Sequence, residues 1–329
     1  MRGYFNMVSI IIPVYNAESF ITRAIDSCIN QSYKDFELIL VNDGSSDKSL
    51  LIMRDYAVKD GRIRVLDVSN SGVVKAREYG VNFAEGEFLL FIDADDELAN
   101  DALQTLVDAI KPDVDMVIGD IRQIESDSSS SRINYGNTGC VTGLEHFDWI
   151  VREHVGFLWG KLIRKSLVDE IKVMPYGVKF CEDYIQMIQI SYHAHKVVHV
   201  GTVTYNYIQQ DESACNKALP VQEYAQRFAD LCKKISEIIE CCGYDENSNV
   251  KLKVLFLYYC RLYLCCKGGW NPNRELRKTF KSYMADSSVK KHFRLTDLRR
   301  FWMTRQVGWM YPVLSVLYKY QLKKTGRIR

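Results

Sequence analysis

Short, predominantly apolar runs alternate with longer stretches in which apolar residues recur every three to four positions, from Val8 to about residue 120. Val8 to Ile12, Phe36 to Val41, Ile63 to Leu66 and Phe88 to Ile92 have the length and composition of strands buried in a parallel sheet. Between them, Phe20, Ile21, Ala24, Ile25 and Cys28 form a helical stripe over Glu18–Asn30. Lys48–Val58 and Val73–Phe83 read as the next two helices, and a helix-like segment starts at Asn100. Pro13 has no backbone N–H and is expected to end the first strand. Asp115 to Gly119 adds another strand. Strands alternating with helices at these lengths predict an α/β fold with a doubly wound, mostly parallel sheet.

The pattern then loosens. SDSSSS (Ser126 to Ser131) reads as a flexible loop. Helical stretches are expected near Gly143–Glu153 and Tyr184–Ala194, and VVHVGTVTY reads as a strand. Tyr205 to Lys217 is polar and is expected to be a loop beside the site that acts as a lid. Helices dominate from Val221 onward. Val221–Cys241 places Tyr224, Phe228, Leu231, Ile235, Ile238 and Ile239 on one face, and Val250–Cys266 is apolar almost all round until Gly268–Gly269 stops it. The chain therefore divides into an α/β part, residues 1–218, and a helical C-terminal extension, residues 219–329.

Composition adds three constraints. No apolar run approaches the length that spans a bilayer, and the N-terminal run stops at Pro13, unlike a signal peptide. Met7 is an alternative start, with residues 1–6 as a leader. Ten cysteines without a secretion signal point to free thiols in a reducing cytosol. Cys241–Cys242 and Cys265–Cys266, with Cys260, lack metal-ligand spacing and read as small buried hydrophobes.

The net charge of +2 conceals an asymmetry: residues 250–329 carry 19 Lys and Arg against 3 Asp and Glu, and residues 1–249 carry 24 against 38. Such a tail suits an anionic surface. From Arg299 on, Trp302, Trp309, Tyr311, Tyr318 and Tyr320 interleave with Arg300, Arg305, Lys319, Lys323 and Lys324. Pro312 would divide the segment into two short helices at a bilayer interface; an amphipathic helix packed on the protein is the alternative. Nucleic acid fits the charge, but no recognition module is present, so it is not an expected partner.

Candidate chemistry gathers at strand ends. Asp93, Asp95 and Asp96 follow the Phe88–Ile92 run, where open α/β sheets bind ligands. Alternation along the strand end would put Asp93 and Asp95 on one side, able to share a divalent cation with substrate oxygens. The bland alternative is a solvated turn, or Asp96 capping the next helix. Pro13, Tyr15 and Asn16 follow the first strand, where the Tyr15 ring can stack on a base or act as a helix staple. Asp43, past the second strand, can accept the imide N–H of uracil or form an Asx turn. Asn70 and Gly72 follow the third strand, and Arg77 offers a charge-assisted fork to a diphosphate. Glu182 and Asp183 read as acids at a helix start, or as a general base with an orienting partner. Trp159 can stack on a sugar or pack in the core. His193, His195 and His199, on a helix end running into a strand, do not converge as metal ligands.

Six ordered landmarks carry a family resemblance: VSIIIPVYNAESFI at 8–21, FELILVNDGSSD at 36–47, NSGVVKAR at 70–77, GEFLLFIDADD at 86–96, WGKL at 159–162 and CED at 181–183. In these the chain resembles the family-2 glycosyltransferases, inverting enzymes of the nucleotide-diphospho-sugar transferase fold, of the bacterial surface-polysaccharide type. The resemblance implies a nucleotide-sugar half at 7–120 and an acceptor half at 121–218. It implies that Pro13, Tyr15, Asn16, Asp43, Asn70, Arg77 and Asp93 bind a UDP-sugar donor, and that Asp95 ligates Mg²⁺ or Mn²⁺. Asp183 would be the base, with Glu182 and Trp159 toward a glycan or lipid-linked acceptor at the cytoplasmic membrane face. Two departures stand out: Glu78 where the family has Asn after Ala-Arg, and Gly160 where it has Asn after Trp. A nucleotidyltransferase of similar fold would need a basic Gly-rich loop after the first strand, which PVYNAESF lacks. A non-catalytic sugar-nucleotide sensor is the remaining alternative.

Overall fold

In the computed structural model, residues 7–125, 129–133, 139–209, 220–267 and 274–292 are described. The elements run β1 (Val8–Val14), α1 (Ile21–Ile29), β2 (Phe36–Asp43), α2 (Ser49–Lys59), β3 (Ile63–Val68), α3 (Val73–Phe83), β4 (Phe88–Phe91), β5 (Glu97–Leu98) and α4 (Ala102–Asp108). Then come β6 (Met116–Ile124), β7 (Ser130–Ile133), β8 (Gly139–Thr142), α5 (Gly143–Glu153), β9 (Lys161–Arg164), α6 (Lys165–Asp169), α7 (Glu182–His193) and β10 (Lys196–Ile208). The helices α8 (Val221–Cys241), α9 (Glu246–Lys267), α10 (Arg274–Ala285) and α11 (Ser287–His292) follow.

Two compact units result. The first comprises residues 1–150, 155–177 and 186–211, and the second 151–154, 178–185 and 212–329. One sheet organises the first unit, in the order β3-β2-β1-β4-β9-β6-β10-β5, with β7 on β6 and β8 on β10. The pairs β3-β2, β2-β1, β1-β4 and β6-β10 are parallel. β9 enters antiparallel between β4 and β6, and the short β5, β7 and β8 also pair antiparallel. The fold is the expected α/β type with helices following it.

The apolar runs become the innermost strands: Ile10, Ile11 and Ile12 of β1 and Leu38 to Val41 of β2 are fully buried. α1 buries Ile21, Ala24, Ile25 and Cys28, the stripe read from the sequence. α3 lies close on β1 because Gly80 has no side chain; a Cβ there would meet Ile11 Cγ2 at 2.5 Å.

Several expectations need correction. Pro13 does not end β1, which continues to Val14 with Pro13 opposite Val41 of β2. Ile11 accepts the last bond from the β4 side, from the Ile92 N–H. By alternation the Pro13 nitrogen faces that same side, where β4 has already turned away and no donor is needed. Ser130 and Ser131 belong to β7, paired with Ile124 and Gln123 of β6, so that part of the serine run is strand. Tyr205 to Ile208 are the end of β10, because β6 extends far enough to pair with them. The rest of the expected lid, from Gln210, lies outside the described residues, as does the aromatic tail from Arg299.

In the second unit, α8 and α9 pack along an apolar seam of Phe228, Leu231, Cys232, Ile235, Leu252, Phe256 and Cys260. Phe256 meets the Tyr283 ring edge-on at 5.0 Å, which docks α10.

Candidate functional site

The ends of β1, β2 and β4 and the start of α3 bring most of the expected residues of the first unit together. β2 ends on Asp43, which is 3% exposed. Its Oδ1 accepts the Ser71 N–H at 2.7 Å and its Oδ2 accepts the Gly72 N–H at 2.9 Å. The carboxylate therefore holds the two backbone N–H groups just ahead of α3. The Asx turn after β2 is made instead by Asn42, whose Oδ1 accepts the Ser45 N–H at 3.2 Å. Asn70 donates from Nδ2 to the Asp43 carbonyl at 3.0 Å, which closes the β3–α3 loop onto the end of β2. A carboxylate has about four acceptor positions, so two protein N–H groups leave Asp43 able to take another donor.

The loop after β1 is tied to the turn after β2. Asn16, with φ of 49°, donates its N–H to Ser45 Oγ at 3.0 Å and accepts the Ser46 N–H on Oδ1 at 2.8 Å. Tyr15 is 56% exposed, so it is not a packed staple; its ring is available to a planar ligand.

Arg77, one turn into α3, is 4% exposed and donates from a terminal nitrogen to Asp93 Oδ1 at 2.9 Å. A buried guanidinium requires such a counter-charge. Glu78, the departure from the family pattern, instead accepts the Tyr176 hydroxyl at 2.7 Å.

Asp93 and Asp95 do not lie on an extended strand end, as alternation suggested. β4 stops at Phe91, and the chain turns, with the Asp96 N–H donating to the Asp93 carbonyl at 3.1 Å. The two carboxylates thus belong to one tight turn. Burial pushes the Asp95 carboxyl up, and the Arg23 charge partly offsets this. Arg23 of α1 also donates to the Asp95 carbonyl at 2.7 Å and pairs with Glu97 at 2.8 Å.

Asp96 does not cap α4. It is 1% exposed, and its Oδ2 accepts the Tyr205 hydroxyl at 2.7 Å while Oδ1 accepts the Ile208 N–H at 2.9 Å. Burial, reinforced by the charges of Asp93 and Asp95, pushes its carboxyl up to about 8. The Tyr205 oxygen in turn accepts the Asp93 N–H at 3.2 Å.

Trp159 is 7% exposed, with Tyr205 stacked on it at 4.5 Å and Phe157 at 4.7 Å. It packs rather than offering an open face to a sugar, contrary to one of its two sequence readings. Gly160 has φ of 69°, in the left-handed region that Gly and Asn tolerate best, so both this residue and the family's Asn suit the backbone.

Glu182 and Asp183 belong to the second unit, half-buried in the first turn of α7. There the helix dipole favours negative charge. Cys181, just before them, has φ of 59°. His195 is 91% exposed in its side chain and lies 3.1 Å from Asp115.

Tyr205, Asp96 as an anchor and Arg23 were not identified from the sequence. Arg23 lies on the polar side of an amphipathic helix, and Tyr205 is more than a hundred residues from its partners. The third carboxylate of DADD was the one local signal.

Residues 9–172 match the model of the family described as Glycosyl transferase family 2. The EpsH protein of Bacillus subtilis (strain 168) is 31% identical over 209 residues, covering 61% of this chain and 60% of that protein. The alignments to the first curated relatives span 40 to 60% of their own length. Among solved structures, S. aureus TarS 1-349 in complex with UDP-GlcNAc superposes with a TM-score of 0.64 at 20% identity, covering 86% of this chain and 81% of that one. A mannosyltransferase from Pyrobaculum calidifontis in complex with GDP-Man and Mn²⁺ gives a TM-score of 0.52 at 17% identity, covering 94% and 86%.

Proposed function

We propose that this chain, which belongs to glycosyltransferase family 2 through its residues 9–172, moves a sugar from a UDP-sugar to a hydroxyl of a glycan acceptor, with inversion at the anomeric carbon. The observation that carries the reading is the turn of Asp93 and Asp95 at the end of β4, joined through Arg77 to α3, whose preceding loop Asp43 holds. Tyr15 provides a stacking face for the uracil ring, and Asp43 an acceptor for its imide N–H. Asn70 and Pro13 wall the same strand ends. Asp93, held by Arg77, accepts from the ribose hydroxyls. The TarS complex with UDP-GlcNAc supports a uridine donor.

A divalent cation fits the residues present. Asp95 is a partly buried carboxyl pushed up by desolvation, a condition that a nearby cation relieves. Mg²⁺ at nucleotide sites takes one or two carboxylates plus phosphate oxygens rather than a protein cage. Among the described residues no cluster of three acidic, His or Cys ligands occurs. Mg²⁺ or Mn²⁺ held by Asp95 would neutralise the diphosphate as it leaves.

Asp183 takes the proton from the acceptor hydroxyl as its oxygen bonds to the anomeric carbon and the bond to the UDP β-phosphate oxygen breaks. Glu182 orients the acceptor. The acceptor is a lipid-linked glycan at the cytoplasmic membrane face, a setting supported by the exposed cations of α10. Among the described residues no helix is long and apolar enough to cross a membrane.

The direct test is sugar transfer from UDP-sugars with Mn²⁺ present, for the native chain and Asp183→Asn. General-base loss is expected to lower turnover about 10²–10⁴-fold, with UDP affinity held within twofold. Transfer by Asp183→Asn at the native rate contradicts the assigned base. UDP binding without any transfer across a panel of donors and acceptors favours the sensor instead.

A further inference from the structure

We infer that Tyr205 and Asp96 form a strut that sets the position of the cation-binding turn. Tyr205 is a positioning residue for the Asp93–Asp95 turn and Asp96 is its anchor. The inference rests on the reading of Asp95 as the cation ligand, and goes beyond it in naming what holds that ligand in place.

The geometry is a chain of contacts that begins and ends on the turn. The Tyr205 hydroxyl donates to Asp96 Oδ2 at 2.7 Å, and the same oxygen accepts the Asp93 N–H at 3.2 Å. Both lone-pair and proton directions of the hydroxyl are therefore used on one turn. Asp96 Oδ1 accepts the Ile208 N–H, which pins the end of β10 to the same four residues. β5 immediately follows the turn, and Leu98 pairs with Tyr205 itself.

The ring of Tyr205 is immobilised as well. It is fully buried, Trp159 stacks on it at 4.5 Å, and Gly160 leaves no room on its flank, where a Cβ would meet Tyr205 Cβ at 3.1 Å. Gly160 in turn donates its N–H to the Phe91 carbonyl at 3.1 Å, at the last residue of β4. The loop from Trp159 to Gly160 thus braces the strand, the ring and the turn together. This gives the WGKL landmark a role as the backing of the strut.

Tyr205 and Asp96 meet neither cation nor donor in this arrangement, since both are buried beneath the turn. They act through the placement of Asp93 and Asp95. A loosened ligand costs affinity, because a site held within about half an ångström is needed for full effect.

The experiment is a titration of Mn²⁺ into full-length chain at saturating UDP, read by calorimetry, for Tyr205→Phe, Asp96→Asn and Asp95→Asn, with thermal melting recorded in EDTA. Tyr205→Phe removes one oxygen and keeps the ring in its stack. Expected is an Mn²⁺ half-saturation at least about tenfold higher in Tyr205→Phe, the scale of outer-shell changes at metal sites. UDP affinity in EDTA, to which Asp93 contributes through the ribose, is expected to fall by a smaller factor than Mn²⁺ affinity, a combination that a merely structural role would not produce. Asp96→Asn gives the same signature by placing an amide nitrogen, which cannot accept the Tyr205 proton, where Oδ2 stood, and stands in if Tyr205→Phe does not fold. Native Mn²⁺ half-saturation in a folded Tyr205→Phe or Asp96→Asn overturns the strut. If Asp95→Asn also binds Mn²⁺ and UDP as the native chain does, the cation assignment fails instead, and the two failures are distinguished.

Discussion

His146 illustrates how a single ring can set the acid limit of stability. It is 2% exposed, its Nδ1 lies 2.9 Å from Ser191 Oγ, and its Nε2 has no hydrogen-bond partner among the described residues. Burial, with the nearby His199 and Lys161, lowers its affinity for a proton from the usual 6.5 to about 3. Between those values the unfolded chain binds a proton that the folded chain refuses, so stability falls as pH drops from 6.5 toward 3. The change in melting temperature of the full chain from pH 7 to pH 5 should be more negative in the native protein than in His146→Asn, because Asp96, whose raised carboxyl acts with the opposite sign over this range, contributes equally to both. Equal changes in the two proteins would remove His146 from the account. No sequence signal marked this residue, because burial of a histidine on α5 depends on what β10 and α7 bring against it.

At the scale of elements, legibility followed sequence distance. β1 to β4 and α1 to α3 were readable because β1, β2 and β4 are apolar runs buried on both faces, the edge strand β3 follows a helix of ordinary length, and each connection is short. α3 was read with the bounds it has, Val73–Phe83. The turn after β4 was misread as strand end, since three aspartates in four positions carry no periodicity to locate where pairing stops. β9 and Tyr205 were not legible. β9 is four residues long and enters between strands distant in sequence, and a hydroxyl bonded across more than a hundred residues leaves no local pattern.

α10 was also unread, yet it gives the basic extension a defined surface. Arg274, Arg277, Lys278 and Lys281 are all exposed at helical spacing, while Leu276 and Tyr283 are buried opposite. Basic residues near an anionic leaflet contribute about 1 kcal/mol each. Full-length chain is therefore expected to co-sediment with vesicles containing anionic phospholipid. Reversing Arg277, Lys278 and Lys281 to Glu should lower the bound fraction at least about tenfold, and neutral vesicles should retain neither protein. Undiminished binding of the triple variant would assign attachment to another part of the chain.

At the scale of the whole molecule, residues 9–172 carry the family pattern, and Glu182 and Asp183 lie beyond it in a segment that groups with the helical unit. The residues proposed to bind the donor stood out as landmarks because they follow strands that the hydrophobic pattern had already located. Asp183 is proposed only through the family's Glu-Asp pattern, as its local setting is that of any acid at a helix start. The central claim is that the turn at the end of β4 holds a nucleotide diphosphate through a divalent cation. Calorimetric titration of UDP into the full chain, with Mn²⁺ and with EDTA, for the native protein and Asp95→Asn, tests it most directly. Mn²⁺ is predicted to tighten UDP binding at least about tenfold in the native chain, worth about 1.4 kcal/mol, and to have no effect in Asp95→Asn. Equal UDP affinity with and without Mn²⁺ in the native chain, or an undiminished Mn²⁺ effect in the variant, would contradict it.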